Sequence, residues 1–443
     1  MGLVREFYEG QTVLLTGGSG FVGKVVLARL LQHCDCRKVY LLLRPLPGGT
    51  AEERLRSSVL ASGVFDELRD QHGSSFDSFV AAKVEALAGD LLSADLGIRQ
   101  AEAIQQEVSV VIHMAASVHF NSPLKDNYRS NVEGSLRVLD FCRRCKHLQV
   151  LVHTSTCYVN SDLRGRVKEG LIPLPWETED VHLAVRRLID MREQGSDDAA
   201  NFEGMEKQLL GRFPNTYAFT KRLCEALITR EWQLRNDEPH HGQPIKQQRS
   251  ENAQISFMHA CMHGHFSGAL GILKCLPANP QLIGDQVPVD VVADSLIVCG
   301  AAVAASNAAL INKYHSAAAA ADGVAATATQ AAAKHVDPNC MLCPVQVPPP
   351  FTHASVAVAA SAAAPAVAPE NARDLEEEAA AAAAAGRPGI YVIHSCTSDI
   401  NPTYWRDLLI HGREYNMLCP YYSRLRRQLQ SPYFDTDFKQ FRR

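Results

Sequence analysis

Between residues 12 and 152 the chain alternates short apolar runs with longer amphipathic stretches. The runs at Thr12–Thr16, Val39–Leu43, Val84–Ala88, Val108–His113 and Val150–His153 are β-branched or leucine-rich and too short for helices. They read as strands covered on both faces. Stretches such as Lys24–His33 and Asn131–Cys145 read as the helices between them. Strand followed by helix, repeated, predicts parallel βαβ units and so an α/β fold with a doubly wound parallel sheet.

The rhythm then breaks. Residues 160–215 read as a long insertion of loops and short helices, and Tyr217–Leu234 as an amphipathic helix. Residues 236–254, with His240, His241, Lys246, Gln247, Gln248 and Arg249, are polar and show neither period, so a sixth strand expected there is not visible. Order returns from Phe257 to Gly300, where Val287-Pro288-Val289-Asp290 leads into a helix. Residues 314–386 are dominated by alanine, with prolines and an acidic knot at Glu376–Glu378, too biased for a packed core; they predict a disordered insertion. A strand at Gly389–His394 and segments rich in tyrosine and arginine follow. The division that results is 1–235 for the sheet domain, 236–313 for a partial substrate-binding region, 314–386 for the alanine-rich insertion, and 387–443 for a C-terminal substrate region that ends early.

Composition narrows the function classes. The 443 residues hold 44 basic and 48 acidic side chains, a net charge of −4, which gives no footprint for nucleic acid. The 13 cysteines form no framework in a chain of this length, which points to a reducing compartment. Met1 to Gln11 is charged and leads directly into the first strand, so no secretion signal is expected. The most apolar stretch, Ala354–Pro369, is mostly alanine broken by prolines, so any membrane contact is expected to be peripheral.

Chemistry begins at the end of the first strand, in Thr16-Gly17-Gly18-Ser19-Gly20-Phe21-Val22-Gly23. Glycines at 17, 20 and 23 have separate tasks: a tight turn, close approach of a pyrophosphate, and close packing of helix on sheet. The helix N-terminus offers its N–H groups to phosphate. Together they predict a dinucleotide site. The second strand ends at Leu43-Arg44, where an NAD site usually offers a carboxylate; an arginine suits the 2′-phosphate of NADPH, although a solvated arginine would look the same. Small residues after the next strands, at Gly89-Asp90-Leu91 and Ala115-Ala116, would line adenine and ribose; Asp90 serves equally as a helix cap.

Tyr217 and Lys221 stand four apart on one helix face. A neighbouring ammonium stabilises a phenolate, so such a pair exchanges a proton nearer neutral pH than a free phenol. Thr156 follows the fifth strand, where a hydroxyl can hydrogen-bond a substrate carbonyl.

With these residues in view, the chain resembles the fatty acyl-CoA reductases, a family of extended short-chain dehydrogenases. The likeness is carried by TGGSGFVGK, VYLLLRP, LAGDL, VIHMAASVHF, NVEGSLRVLDFC, VHTSTCYVN, NTYAFTK, VPVDVV and IYVIHSCTSDINPTYW, densely over residues 10–160 and in patches beyond. The resemblance implies a Rossmann-like fold and NADPH-dependent reduction of a long-chain acyl-CoA thioester through an aldehyde to a primary alcohol. It implies Tyr217 as proton donor, Lys221 as its modulator and ribose ligand, and Thr156 as the second hydroxyl on the carbonyl. Asn131 would complete a tetrad through a water bound to Lys221, or simply cap its own backbone. The resemblance also implies an intracellular protein at the cytosolic face of a peroxisomal or endoplasmic reticulum membrane, a longer C-terminal region, and a strand ending in arginine-proline where this chain has Gln243 to Arg249.

Other signals carry less. His259, His263 and His265 include a helical pair but have no acidic or cysteine partner spaced to complete a metal site. The pairs Cys142/Cys145 and Cys340/Cys343 do not sit at a strand-to-helix turn. The scaffold also hosts steroid and nucleotide-sugar oxidoreductions, which compete as substrate classes. A lost sixth strand would favour a third reading, an NADPH-binding protein impaired in catalysis.

Overall fold

The computed structural model describes residues 2–163, 167, 170–194, 199–234, 254–260, 275–276, 287–304, 390–395 and 433–434. A parallel sheet runs through it. Its strands are β1 (Thr12–Thr16), β2 (Lys38–Leu43), β3 (Val84–Ala88), β4 (Val110–His113), β5 (Val150–Thr156) and β6 (Gln254–Ala260). The two-residue β7 (Cys275–Leu276) comes next in the chain, and β8 (Ile390–Ser395) closes the main sheet. The order in the 7-stranded sheet is β3-β2-β1-β4-β5-β6-β8, all parallel. A separate pair joins β7 to β9 (Tyr433–Phe434).

Successive side chains of a strand point to opposite faces. On one face Leu14, Tyr40, Val111 and Leu151 pack with Val138, Leu139, Phe219 and Leu223. On the other, Val13, Leu15, Leu41, Ile112 and Val152 pack with Val26, Leu30, Val292 and Leu296. Helices thus cover both faces, which is why the strands read as unbroken apolar runs. The expectation of a Rossmann-like doubly wound sheet is met.

Several expectations are corrected. The sixth strand is present: β6 pairs with β5 from Val150↔Gln254 to Thr156↔Ala260. It is invisible to periodicity because its QISFMHA mixes polar with apolar residues and starts at the very end of the polar tract. The sheet therefore extends past residue 235, drawing β6 and β8 from segments assigned to substrate regions. The stretch 160–215 holds two substantial helices, Thr178–Glu193 and Ala199–Leu210, rather than loops and short helices. A short helix, Gly2–Tyr8, precedes β1, and Tyr8 Oη donates to the Ile297 carbonyl at 3.1 Å. The alanine-rich insertion, His263, His265 and Cys340/Cys343 lie outside the described residues.

Among the described residues, no helix is long and apolar enough to cross a membrane, and no group of three metal-ligating side chains occurs.

Candidate active site

The strand order reverses between β1 and β4, and the C-terminal ends of these two strands are the usual ligand position in such sheets. The glycine turn sits there. Gly17 has φ +77°, and a Cβ on it would stand 2.6 Å from the Ala115 nitrogen. A Cβ on Gly23 would stand 2.3 Å from the Gly17 carbonyl oxygen, so the helix Phe21–His33 lies as close to the turn as a backbone can. Its N-cap, Gly20, supplies no side-chain cap, which leaves N–H groups of the first turn for a ligand. This backbone fits a pyrophosphate.

Thr16 is turned inward. Ser135 Oγ donates to the Asn131 carbonyl at 2.8 Å, so it accepts from His113 Nε2–H at 3.0 Å. Nδ1 of His113 is then the acceptor for the Thr16 hydroxyl at 2.6 Å, and Thr16 Oγ1 takes the Ala115 N–H at 3.3 Å. Burial, with the Lys221 charge adding, pushes His113 down to about 3, consistent with this neutral tautomer. The Thr16 side chain holds β1 to β4 and leaves cofactor contact to the backbone beyond it.

Arg44 is exposed at the end of β2. Beside it lies an arginine that the sequence reading did not single out: Arg54 donates to the Arg44 carbonyl at 2.7 Å and to Ser19 Oγ at 3.3 Å. Its helix starts in a Thr50/Glu53 capping box, a signal legible in the sequence that fixes where Arg54 falls. The Arg54 guanidinium thus reaches the glycine turn at Ser19, with the Arg44 backbone beside it. Asp90 faces its own turn, accepting the Leu92 N–H at 2.9 Å, and it caps no helix, since the helical turn that follows, Ala94–Gly97, has Ser93 as its N-cap. Leu91 packs near Gly134, and Ala115 and Ala116 follow β4 half-buried, with the Ala115 backbone against Gly17.

One strand further along the sheet, Thr156 ends β5, and Tyr217 and Lys221 lie on the helix Thr216–Leu234. All three are buried. Lys221 Nζ donates to the Thr154 carbonyl at 2.7 Å and lies 3.4 Å from His153 Nε2. Burial pushes this ammonium below its ordinary value, while Cys224 and Glu225 act in the opposite direction. Phe120, also unread in the sequence, lays its ring 5.3 Å from that of Tyr217 and 5.5 Å from that of Tyr158, yet stays 45% exposed.

Asn131 sits in a widened π-helical turn, Arg129–Glu133. Its Oδ1 accepts the Ser117 N–H at 2.7 Å and its Nδ2 donates to the Ser117 carbonyl at 3.1 Å and to Thr220 Oγ1 at 3.3 Å. These bonds pin the segment after β4 rather than the residue's own helix start, and they direct the carboxamide to Ser117 and Thr220.

Comparisons with known proteins place the chain in a family. The family model described as Male sterility protein, an NAD-binding domain, matches residues 15–296. A Drosophila melanogaster relative is 33% identical over 318 residues, 67% of this chain and 56% of that protein. Human fatty acyl-CoA reductase 1 is 31% identical over 292 residues, 65% of this chain and 54% of that protein. Arabidopsis thaliana fatty acyl-CoA reductase 8 is 28% identical over 334 residues, 67% of this chain and 64% of that protein. The chain thus spans between 54% and 64% of the length of these relatives. Among solved structures, the terminal R domain of the myxalamid PKS-NRPS pathway is similar at TM-score 0.43 and 18% identity, over 65% of this chain and 62% of that one. The chain carries a nicotinamide-cofactor-binding domain and belongs to the male sterility protein family, that of the fatty acyl-CoA reductases.

Proposed function

We propose that this chain reduces a long-chain acyl-CoA with NADPH, through an aldehyde, to a primary alcohol. The observation that carries the reading is the buried pair Tyr217 and Lys221, with the ammonium fixed to the Thr154 carbonyl of the strand that ends in Thr156 and Phe120 lying against the tyrosine. Phe120 offers an apolar surface at the reacting group, which suits an acyl chain better than a nucleotide-sugar. With β6 in place, the reading of a catalytically impaired protein loses its support.

The glycine turn and the first turn of the Phe21–His33 helix would hold the pyrophosphate, and Arg44 with Arg54 the 2′-phosphate. The bound nicotinamide supplies hydride. Thr156 and Tyr217 would hydrogen-bond the thioester oxygen as it becomes an oxyanion, and collapse of that adduct breaks the C–S bond and releases the CoA thiolate. In the second reduction Tyr217 gives its proton to the alkoxide formed from the aldehyde, with Lys221 stabilising the phenolate left behind.

The test is an assay of the purified chain with long-chain acyl-CoA and either NADPH or NADH, products identified by gas chromatography. Fatty alcohol formed with NADPH is expected. A chain that binds NADPH but yields neither aldehyde nor alcohol from any acyl-CoA overturns the reading.

A further inference from the structure

Tyr217, Lys221 and Glu225 follow one another at four-residue spacing along the Thr216–Leu234 helix, which stacks them on one face. Glu225 is buried as deeply as Lys221. Neighbouring β5 residues engage the two: the Thr154 carbonyl takes the Lys221 ammonium, and Ser155 Oγ donates to Glu225 Oε1.

A buried ammonium sheds its proton unless an anion lies within reach. Among the described residues, neither hydrogen-bonding neighbour of Lys221, the Thr154 carbonyl or His153 Nε2, carries a negative charge. Cys224 would help only as a thiolate, and burial pushes that thiol up to about 11. Arg222 also feels Glu225, but its guanidinium is surrounded by the Val159 and Pro173 carbonyls and Asn160 Oδ1, and it has Asp162 as another carboxylate. Among the described residues, other titratable groups on the elements packed here are Cys157 and Tyr158, which follow β5, and His113, whose ring centroid lies 5.2 Å from that of His153; the register of β6 places His259 opposite Ser155. None of these supplies a negative charge to Lys221.

We propose that Glu225 is a positioning residue whose carboxylate, oriented by Ser155, holds Lys221 as the ammonium that Tyr217 needs for proton delivery. This rests on the roles of Tyr217 and Lys221 proposed above. The reducing form has a protonated Tyr217 and a charged Lys221. A nearby anion opposes proton loss from both, so removing it makes the first deprotonation of the coupled pair easier. Activity is then lost at lower pH.

Glu225→Gln keeps an oxygen for Ser155 and removes the charge. Its alkaline limb of kcat/KM for acyl-CoA is expected to move down by about one pH unit, and Glu225→Asp to restore most of it. A second readout needs no substrate: in protein labelled with 13C at tyrosine Cζ, the Tyr217 signal, identified by its loss in Tyr217→Phe, should titrate at lower pH in Glu225→Gln. If the Gln variant does not fold, Ser155→Ala with Glu225→Met removes both partners without leaving one unpaired, and the same downward shift is expected. A Tyr217 midpoint that moves in a protein unable to reduce acyl-CoA upholds the electrostatics and sinks the proposed reaction. An active enzyme whose limb and Tyr217 midpoint stay in place overturns the role given to Glu225.

Discussion

At the end of β1, room for a ligand comes from side chains that are missing. A Cβ on Gly17 or Gly23 would strike backbone at 2.6 Å or 2.3 Å. At the end of β5, the site is made instead of side chains that are present and buried: Thr156, Lys221, His153, Ser155 and Glu225. The first half needs only backbone donors at a helix start to receive phosphate. The second must hold a charge away from water, so each polar group requires a partner. A proton-transfer site therefore needs several elements to meet, whereas a phosphate cradle needs one turn.

Breaking the second half should have the largest effect on turnover. Tyr217→Phe is expected to lower kcat by roughly 10² or more, the contribution of a positioned acid, with the NADPH Kd nearly unchanged. Retained turnover would remove Tyr217 from the chemistry. Breaking the first half acts on binding and stability together. Gly23→Ala forces a methyl into the Gly17 carbonyl and should cost about 1–3 kcal/mol of stability, with NADPH affinity falling in titration calorimetry. Normal Tm and Kd in the Gly23→Ala variant would show that the turn is less tightly closed.

A finer probe concerns which dinucleotide the first half prefers. A charge-assisted phosphate contact contributes roughly 1.5–3 kcal/mol, so Arg44→Asp should lower the NADPH-to-NADH preference by roughly tenfold to a hundredfold. If Arg44→Asp leaves the ratio unchanged while Arg54→Ala lowers it, the 2′-phosphate site belongs to Arg54.

The smallest effect lies at the junction, where His113 joins β1 to the helix bearing Asn131. Burial holds folded His113 at about 3, against an ordinary 6.5. The unfolded chain therefore takes up a proton that the folded one refuses, and stability present above about pH 6.5 is lost as pH falls toward 3. The urea midpoint should drop between about pH 7.5 and about pH 5, and His113→Gln should flatten that difference. An unchanged slope in the variant would mean that other groups carry the acid sensitivity.

The same contrast explains what could be read in advance. The first five strands, the glycine turn and the Tyr217 helix are legible because each is signalled locally, by an apolar run, a spacing or a helical period. β6 is not, since Gln254, Ser256 and His259 interrupt it and its place follows from pairing with β5, about a hundred residues earlier in the chain. The helix Thr178–Glu193 has its signal, with Val181, Val185, Leu188 and Ile189 on one buried face, but the loop-like sequence around it hides that period. Tyr217 and Lys221 belong to a familiar spacing, but Arg54, His113, Phe120 and Glu225 acquire meaning only from partners on other elements. The polar partner network of a buried charge leaves no local pattern.

The most direct test of the account is to follow the hydride itself. NADPH carrying deuterium at the transferred position of its nicotinamide is supplied with a long-chain acyl-CoA, and the products are analysed by mass spectrometry. The account predicts a primary alcohol with both hydrogens on C1 replaced by deuterium, one from each reduction, and loss of this product in Tyr217→Phe. Acyl-CoA recovered intact, with no deuterium in any acyl product, would contradict it.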